Sequence, residues 1–496
     1  MRTEDLIQLL NPVEIIGIIP AVLDGKVCQD SRLVEPGDLF VAVRGYKNDG
    51  HNFISQAAKN GASVIICEMP IATDTSSCFV IVENSRKILG PLAQLMAGNP
   101  SKKLSIVGIT GTNGKTTVAT LVWQILTETG HKASLLGTVE KRINKRVLDS
   151  RLTTSDPIEL ASDMKKMVQG GSEYLIMEVS SHALEQHRVA GIPFKVAAFT
   201  NLTHDHLDYH NSFEEYASAK KTLFNKLDNH SWAITNIDDP KGEWITDSTP
   251  AKVLTFGFKD KGLINATIVQ SDYSGMTFSV DGTEFHTPLA GDFNAYNVVQ
   301  SLLICTALGI DGADIMKVLW RCTGAPGRLE KVLLDEEAKD RPTVFVDYAH
   351  TPDALENVSR TLKKLKSNRD KLIILFGCGG DRDKSKRPKM AHIAETYANE
   401  VIVTSDNPRT EDPKMIIKDI MAGFKKPEKV TVVESRKEAI EKAILDTGSR
   451  AIILIAGKGH ETYQEIDGKR THFDDREVAR KALFKKNGNP EKEEVA

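Results

Sequence analysis

Residues 104–126 read LSIVGITGTNGKTTVATLVWQIL. An apolar run able to fill a buried strand passes into a glycine-rich loop, then into Lys115, Thr116 and Thr117, then into a helical stretch. A strand that hands over to a helix in this way commits the chain to an α/β layer, because the helix must pack back across the face of a mainly parallel sheet. The stretch also suits a nucleoside triphosphate. Backbone N–H groups of Gly111, Thr112, Asn113 and Gly114 and of the helix start can face phosphate oxygens. Lys115 can neutralise the outer phosphates, and the Thr116 hydroxyl can ligate Mg2+. One position departs from the common G-x-x-x-x-G-K-[ST] pattern: Ile109 stands five residues before Gly114, where glycine is usual. A tight glycine turn is the plainer reading. The strand, the GKT triplet and the helix taken together favour a phosphate loop.

The strand–helix alternation extends through the chain. DLFVAV, ASVIIC and CFVIV precede residue 100, YLIMEV, VAAFTNL and WAITNI follow the loop, and TVFVDY, KLIILFGCG, EVIVTS, KVTVVE and RAIILIAG come later. The Gly/Pro turn GAPGRLEKV at 324–332 reads as a boundary. With 496 residues the chain is too long for one core. The expectation is an α/β protein of three domains, residues 1–100, 101–330 and 331–496, the central one a P-loop domain with a mainly parallel sheet.

The balance of 64 basic against 67 acidic residues gives a net charge of −3, no reason to expect a nucleic-acid or anionic-membrane partner. The six cysteines are scattered without a CxxC pair, which suggests neither zinc site nor disulfide framework. MRTEDLIQLL lacks the basic-then-apolar order of a signal peptide, and no apolar run approaches a membrane span. A cytoplasmic location is expected.

Three polar clusters sit at strand ends, where α/β sheets place ligands. One is the hydroxyl-rich turn around Thr153 and Thr154. A second is Glu178 at the end of YLIMEV, with Ser180, His182, Gln186 and Arg188 after it. The third is HDHLDYH, with His204, Asp205, His206 and Asp208. Glu178 needs a partner, and either a buried salt bridge or Mg2+ would serve. HDHLDYH could suggest zinc; hydroxyl and carboxylate donors beside a nucleotide favour magnesium. In SFEEYASAKKTLF, Ser212 and Glu215 form a capping box, and Phe213, Tyr216, Ala217, Leu223, Phe224 and Leu227 make one apolar helix face. Lys220 falls on that face and Lys221 does not. A snorkelling lysine is the ordinary explanation.

These motifs, taken in order, carry a resemblance. GTNGKTT, EVSSHALEQHR, TNLTHDHLDYH, YASAKKTLF, GDFNAYNV, PGRLE, VDYAHTPDAL, GCGGDRDKSKRP, SDNPRTEDP and AGKGHETYQ are similar to motifs of the Mur ligases, and QDSRLVEPGDLFVAVRGYKNDGHNFI resembles that family's uridine-nucleotide domain. The resemblance implies a small α/β uridine-binding domain, a central P-loop ATPase domain and a Rossmann-like carboxy-terminal domain. It implies ATP-dependent amide ligation in peptidoglycan precursor synthesis. A carboxylate of UDP-MurNAc-L-Ala-D-Glu is phosphorylated to an acyl phosphate, an amino group attacks, and phosphate leaves. By position, it places ATP on Gly111 to Thr117, Asn294, Asn297, Arg328 and Asp347. The uridine lies on Ser31, Tyr46, Lys47 and Asn48, and the muramoyl dipeptide on Thr153, Thr154, Ser180, Gln186 and Arg188. Thr116 and Glu178 are implied ligands of one Mg2+, and His206 with a carbamylated Lys220 of a second. Lys115, Glu178, His206 and Lys220 are the implied catalytic set, and a monomer is expected.

The added amino acid is read from EVIVTSDNPRTEDP. A D-N-P turn would form regardless of function, but Arg409 adds a guanidinium that the turn does not need. The resemblance associates DNPR with addition of meso-diaminopimelate, whose extra carboxylate a guanidinium reads bidentately. Arg382, Asp406, Asn407, Pro408, Arg409, Gly457 and Glu461 are the implied diaminopimelate contacts. The alternatives are a lysine-adding homologue, folylpolyglutamate synthetase, or a P-loop nucleotide switch.

Overall fold

The computed structural model describes residues 2–45, 48–69, 76–203, 212–259, 262–334 and 341–486. The chain divides into two compact units, residues 1–265 with 299–315, and residues 266–298 with 316–496.

The first unit holds two sheets. β1 (Glu14–Ile16), β2 (Val27–Cys28), β3 (Leu39–Val41), β4 (Val64–Cys67) and β5 (Cys78–Ile81) form a sheet in the order β1-β5-β4-β3-β2. All its pairings are parallel except the edge pair β1–β5. The strands β3 to β5 are buried throughout, as expected of a sheet covered on both faces.

The second sheet is built on β6 (Ser105–Thr110), β7 (Ala133–Leu136), β8 (Glu140–Ile143), β9 (Arg146–Asp149), β10 (Tyr174–Glu178), β11 (Val196–Phe199), β12 (Trp232–Asn236) and β13 (Lys252–Gly257). Their order is β13-β12-β11-β6-β10-β7-β8-β9. The pairings from β13 through β7 are parallel, and β8 and β9 add an antiparallel hairpin. From β6 the chain crosses to β7 and returns through β10, then passes to β11 on the other side of β6. Such a reversal opens a crevice at the carboxyl ends of the central strands. The core beneath it includes Ile106, Leu175, Met177, Phe199, Tyr216 and Phe224.

β14 (Ile264–Asp272) pairs with β13 through its first two residues, in the first unit, and from Ala266 on runs antiparallel to β15 (Gly275–Val280), in the second. β15 pairs with β16 (Thr283–Thr287). The main sheet of the second unit contains β17 (Glu330–Lys331), β18 (Thr343–Asp347), β19 (Lys371–Phe376), β20 (Glu400–Val403), β21 (Thr431–Val432) and β22 (Ala451–Ala456). Its order is β17-β18-β22-β19-β20-β21, parallel except for β17. A hairpin of β23 (Tyr463–Ile466) and β24 (Lys469–His472) follows. KVTVVE, read as a strand, is one only at Thr431–Val432, and both residues are exposed. A sheet edge buries too little there to extend the ladder.

The α/β class and the mainly parallel sheets are as expected from the sequence. All six cysteines are buried and unbridged. Among the described residues, no helix is long and apolar enough to cross a membrane.

A buried ion pair braces the second unit. Arg436 starts the helix Arg436–Leu445, capped by Ser435, and donates to both oxygens of Asp475 at 2.7 Å. Both side chains are fully buried, and Arg436 also donates to the Ala456 carbonyl at 3.0 Å. Removing one partner of such a pair strands a charge. Arg436→Ala is expected to cost about 3–5 kcal/mol, and Arg436→Ala with Asp475→Ala less than Arg436→Ala alone, by denaturant unfolding followed by circular dichroism.

Candidate functional site

The loop after β6 is clamped by the chain that leaves β11. Thr112 N donates to Asn201 O at 2.8 Å, Asn113 N to Asn201 Oδ1 at 3.0 Å, and Thr200 Oγ1 to Asn113 O at 2.6 Å. Gly111 lies so close to this segment that a Cβ would collide with Thr200 Oγ1, and its φ is 146°. Only glycine fits there. Lys115 opens the helix Lys115–Glu128, and its ammonium donates to Gly111 O at 3.0 Å and Thr112 O at 2.7 Å. A helix start, loop amides and a lysine folded over the loop make a phosphate-sized cradle.

Glu178 ends β10 and is 1% exposed. Thr116 Oγ1 donates to its Oε2 at 3.0 Å, Thr138 N to its Oε1 at 2.7 Å, and Thr138 Oγ1 to its Oε2 at 3.1 Å. Among the described residues, hydroxyls and an amide meet the Glu178 oxygens. Thr138 was not singled out from sequence. Its signal is a hydroxyl just past the apolar strand SLL, the same signal that marked Thr153 and Thr154. Thr138 Oγ1 also lies within hydrogen-bond distance of Thr153 Oγ1, at 3.1 Å. Thr154 Oγ1 donates to the Glu178 carbonyl at 2.9 Å and accepts from Ser180 N at 3.1 Å. Arg188 donates to Thr154 O at 2.9 Å and to Gln186 Oε1 at 2.7 Å. Nucleotide loop, acid and hydroxyl turn therefore form one bonded array.

Lys220 joins the same array. The helix Phe213–Asn225 is capped by Ser212, whose side chain accepts from Glu215 N. Lys220 is 1% exposed, donates to Gly111 O at 2.9 Å and lies 4.3 Å from the Tyr216 ring centroid. Snorkelling does not describe it. Tyr216 OH bonds Thr112 Oγ1 at 3.1 Å. Lys221 turns away to Trp244 O and Asp247. His206, with His204, Asp205 and Asp208, lies outside the described residues, as do Tyr46 and Lys47. Among the described residues no three His, Cys, Asp or Glu side chains gather into a metal-sized cluster. In the amino-terminal sheet layer, Ser31 is buried and its carbonyl accepts from Asn60, while Asn48 O accepts from Gly45 N at 2.8 Å.

The remaining residues belong to the second unit. Asn297 donates to Asn294 Oδ1 at 3.1 Å, and both are buried. The Asp347 carboxylate accepts from Leu329 N at 2.6 Å and Ala349 N at 2.8 Å. Burial pushes its pKa up, and the neighbouring Arg328 pulls against that. Arg328 stacks 5.0 Å over Tyr348.

At the carboxyl ends of β19, β20 and β22 a second constellation forms. Asp406 and Asn407 are buried, and Asn407 Nδ2 donates to Glu461 Oε2 at 2.8 Å. Arg409 donates to Gly380 O at 2.7 Å, and its backbone is held by Glu465 O and Asp467 N. Pro408 connects the two, Gly457 lies against Asp406, and Arg382 is exposed beside Gly379. Lys458, fully buried against Asn407 and Glu461, was missed. Its signal is a lysine one glycine past the apolar strand AIILIA.

Known proteins match along the whole chain. The Mur ligase middle domain covers residues 109–305, the Mur ligase glutamate ligase domain 327–459, and the Mur ligase family catalytic domain 26–94. A UDP-N-acetylmuramoyl-L-alanyl-D-glutamate–2,6-diaminopimelate ligase of Cytophaga hutchinsonii is 41% identical over 97% of this chain and 99% of its own. The ligase of that name from Geobacillus kaustophilus is 42% identical over 92% of this chain and 94% of its own. A solved structure of a ligase of that name aligns with TM-score 0.72 and 33% identity, covering 97% of this chain and 99% of that one. Mycobacterium tuberculosis folylpolyglutamate synthase shares the fold at TM-score 0.56 and 19% identity, over 75% of this chain and 92% of its own. The chain belongs to the Mur ligase family.

Proposed function

We propose that this protein joins meso-diaminopimelate to UDP-MurNAc-L-Ala-D-Glu at the expense of ATP, in peptidoglycan precursor synthesis. The γ-phosphoryl group passes to the D-glutamate carboxylate, the amine of diaminopimelate attacks the acyl phosphate carbon, a proton leaves the amine, and inorganic phosphate departs. The observation that carries the choice of amino acid is the meeting of Arg409, Asn407 and Glu461 on one loop cluster. A guanidinium and a carboxylate held there match the distal carboxylate and distal ammonium of diaminopimelate. Lysine would leave Arg409 without its anion.

Roles follow for the other side chains. Gly111 to Thr117 hold the ATP phosphates, with Lys115 neutralising the outer ones, and Asn294, Asn297, Arg328 and Asp347 are the further ATP-binding residues. Ser31, Tyr46, Lys47 and Asn48 line the uridine site. Thr153, Thr154, Ser180, Gln186 and Arg188 hold the muramoyl dipeptide. Arg382, Asp406, Pro408 and Gly457 complete the diaminopimelate site.

The donors present fit Mg2+: a hydroxyl and a buried carboxylate 3.0 Å apart beside the phosphate cradle, all oxygen. Thr116 and Glu178 would hold one ion, and His206 with Lys220 a second. When bound, the ions screen the repulsion between carboxylate and phosphate. Lys220 serves as its carbamate: the neutral amine bonds to the carbon of CO2 and releases a proton, turning a buried cation into an anionic oxygen donor. The working form is a cytoplasmic monomer with domain limits at 1–100, 101–330 and 331–496.

A nucleotide switch would hydrolyse ATP without the other substrates. The direct test incubates the protein with ATP, Mg2+, UDP-MurNAc-L-Ala-D-Glu and either diaminopimelate or lysine, then weighs the product. The tripeptide mass is expected with diaminopimelate only, and a lysine adduct of equal yield overturns the reading. Arg409→Ala is expected to lose kcat/KM for diaminopimelate by about a hundredfold or more, while ATP affinity measured by calorimetry stays within a few-fold. Lys220→Ala is expected to be inactive and to regain activity with millimolar short carboxylic acids; full activity without them would refute the carbamate.

A further inference from the structure

The amino-acid site contains a buried lysine that the proposed chemistry does not use. Lys458 is 0% exposed. Its ammonium donates to Asn407 Oδ1 at 3.1 Å and to Glu461 Oε2 at 3.3 Å, and it lies 5.3 Å from the Tyr463 ring centroid. Asn407 bonds the same Glu461 oxygen through Nδ2, while its Oδ1 also accepts from Glu465 N at 3.0 Å. The amide orientation of Asn407 is therefore dictated: oxygen toward Lys458 and the Glu465 amide, nitrogen toward Glu461. The three side chains close a triangle, and each corner is fixed by the other two.

The triangle also sets a charge balance. Asp406 is 6% exposed, and one of its oxygens lies 2.5 Å from where a Cβ on Gly457 would sit. Arg436 is matched by Asp475. Asp406 and Glu461 against Lys458 leave one surplus negative charge. The Glu461 charge also reaches Arg436, Arg470 and the phenols of Tyr348 and Tyr463 across the site. One surplus negative charge beside Arg409 is the complement of a zwitterion, one ammonium and one carboxylate. Without Lys458 the same pocket would carry two negative charges, and Glu461 would lose the bond that aims it.

We infer that Lys458 is a positioning residue for amino-acid selection, holding Glu461 and Asn407 in the geometry and net charge that accept a single ammonium beside a carboxylate. This rests on the reading of the site as the diaminopimelate pocket. Lys458 is enclosed, so it acts through Glu461 and does not touch the substrate.

The experiment is steady-state phosphate release with each of the three substrates varied in turn, for wild type, Lys458→Met, Glu461→Gln and the double variant. Loss of one charge-assisted bond predicts a rise in KM for diaminopimelate of about ten- to a hundredfold in Lys458→Met. KM for ATP and for the UDP-linked substrate should stay within about threefold of wild type. In the double-mutant cycle the two substitutions should be strongly non-additive, the double variant resembling Glu461→Gln. A structural brace alone would raise all three KM values together or lower only stability, and either result overturns the inference, as does additivity. Should Lys458→Met fail to fold, Glu461→Gln against the double variant answers the same question: Lys458 must contribute nothing once the Glu461 charge is gone. Wild type without diaminopimelate-dependent phosphate release refutes the underlying reading. Wild type with that activity, and an unchanged diaminopimelate KM in Lys458→Met, refutes this inference alone.

Discussion

The carboxylate of Glu178 is the point on which the first unit's site is hung. It lies in a nearly water-free position at the end of a parallel strand, where an unsatisfied charge would be expensive. It is tolerable because three donors converge on it: the Thr116 hydroxyl from the nucleotide-loop helix, and the amide and hydroxyl of Thr138 from the turn after β7. Its own backbone carbonyl receives Thr154. Three chain segments distant in sequence are thereby tied to one residue. An acid so placed holds the loop after β6, the turn after β7 and the hydroxyl turn at 153–154 in a fixed relation to one another.

Both units solve the placement problem alike. A strand crosses to a non-adjacent neighbour, a later strand returns into the gap, and the carboxyl ends around that gap carry the polar residues. In the first unit these are the loop after β6, Glu178 after β10 and the TNLT segment after β11. In the second they are the Gly-rich turn after β19, DNPR after β20 and GKGHE after β22. These ends lie beyond the ladders of the sheets, so their polar residues are held by hydrogen bonds of their own even where they are buried.

What could be read from sequence follows from how local its cause is. Lys220 was separable from Lys221 because helix periodicity is a local rule, and the burial of one and the Trp244 and Asp247 contacts of the other obey it. The strand–loop–helix at 104–126 was legible for the same reason. Thr138 and Lys458 were not, because their importance comes from residues 40 and 51 positions away, Glu178 and Asn407. A threonine after a strand and a lysine after a strand have ordinary surface explanations until the partner is seen. The edge strand at Thr431–Val432 was overread because an apolar run says nothing about whether a neighbour covers it.

The DNPR loop shows how a motif can be more than a turn. A D-N-P sequence bends the chain at little cost, yet Arg409 holds a φ of 54°, a conformation that costs an L-residue about 1 kcal/mol. The strain is held by Glu465 O accepting from Arg409 N and by Asp467 N donating to Arg409 O, so the β23–β24 hairpin clamps the arginine's backbone. The clamp sends the guanidinium to Gly379 and Gly380. A Cβ on Gly379 would lie 2.9 Å from Arg409 Nη1, and one on Gly380 would collide with Pro408 O. The glycines of GCGGDRD and the arginine of DNPR therefore require one another. A turn needs neither the hairpin nor the glycine floor; a guanidinium fixed in one orientation needs both.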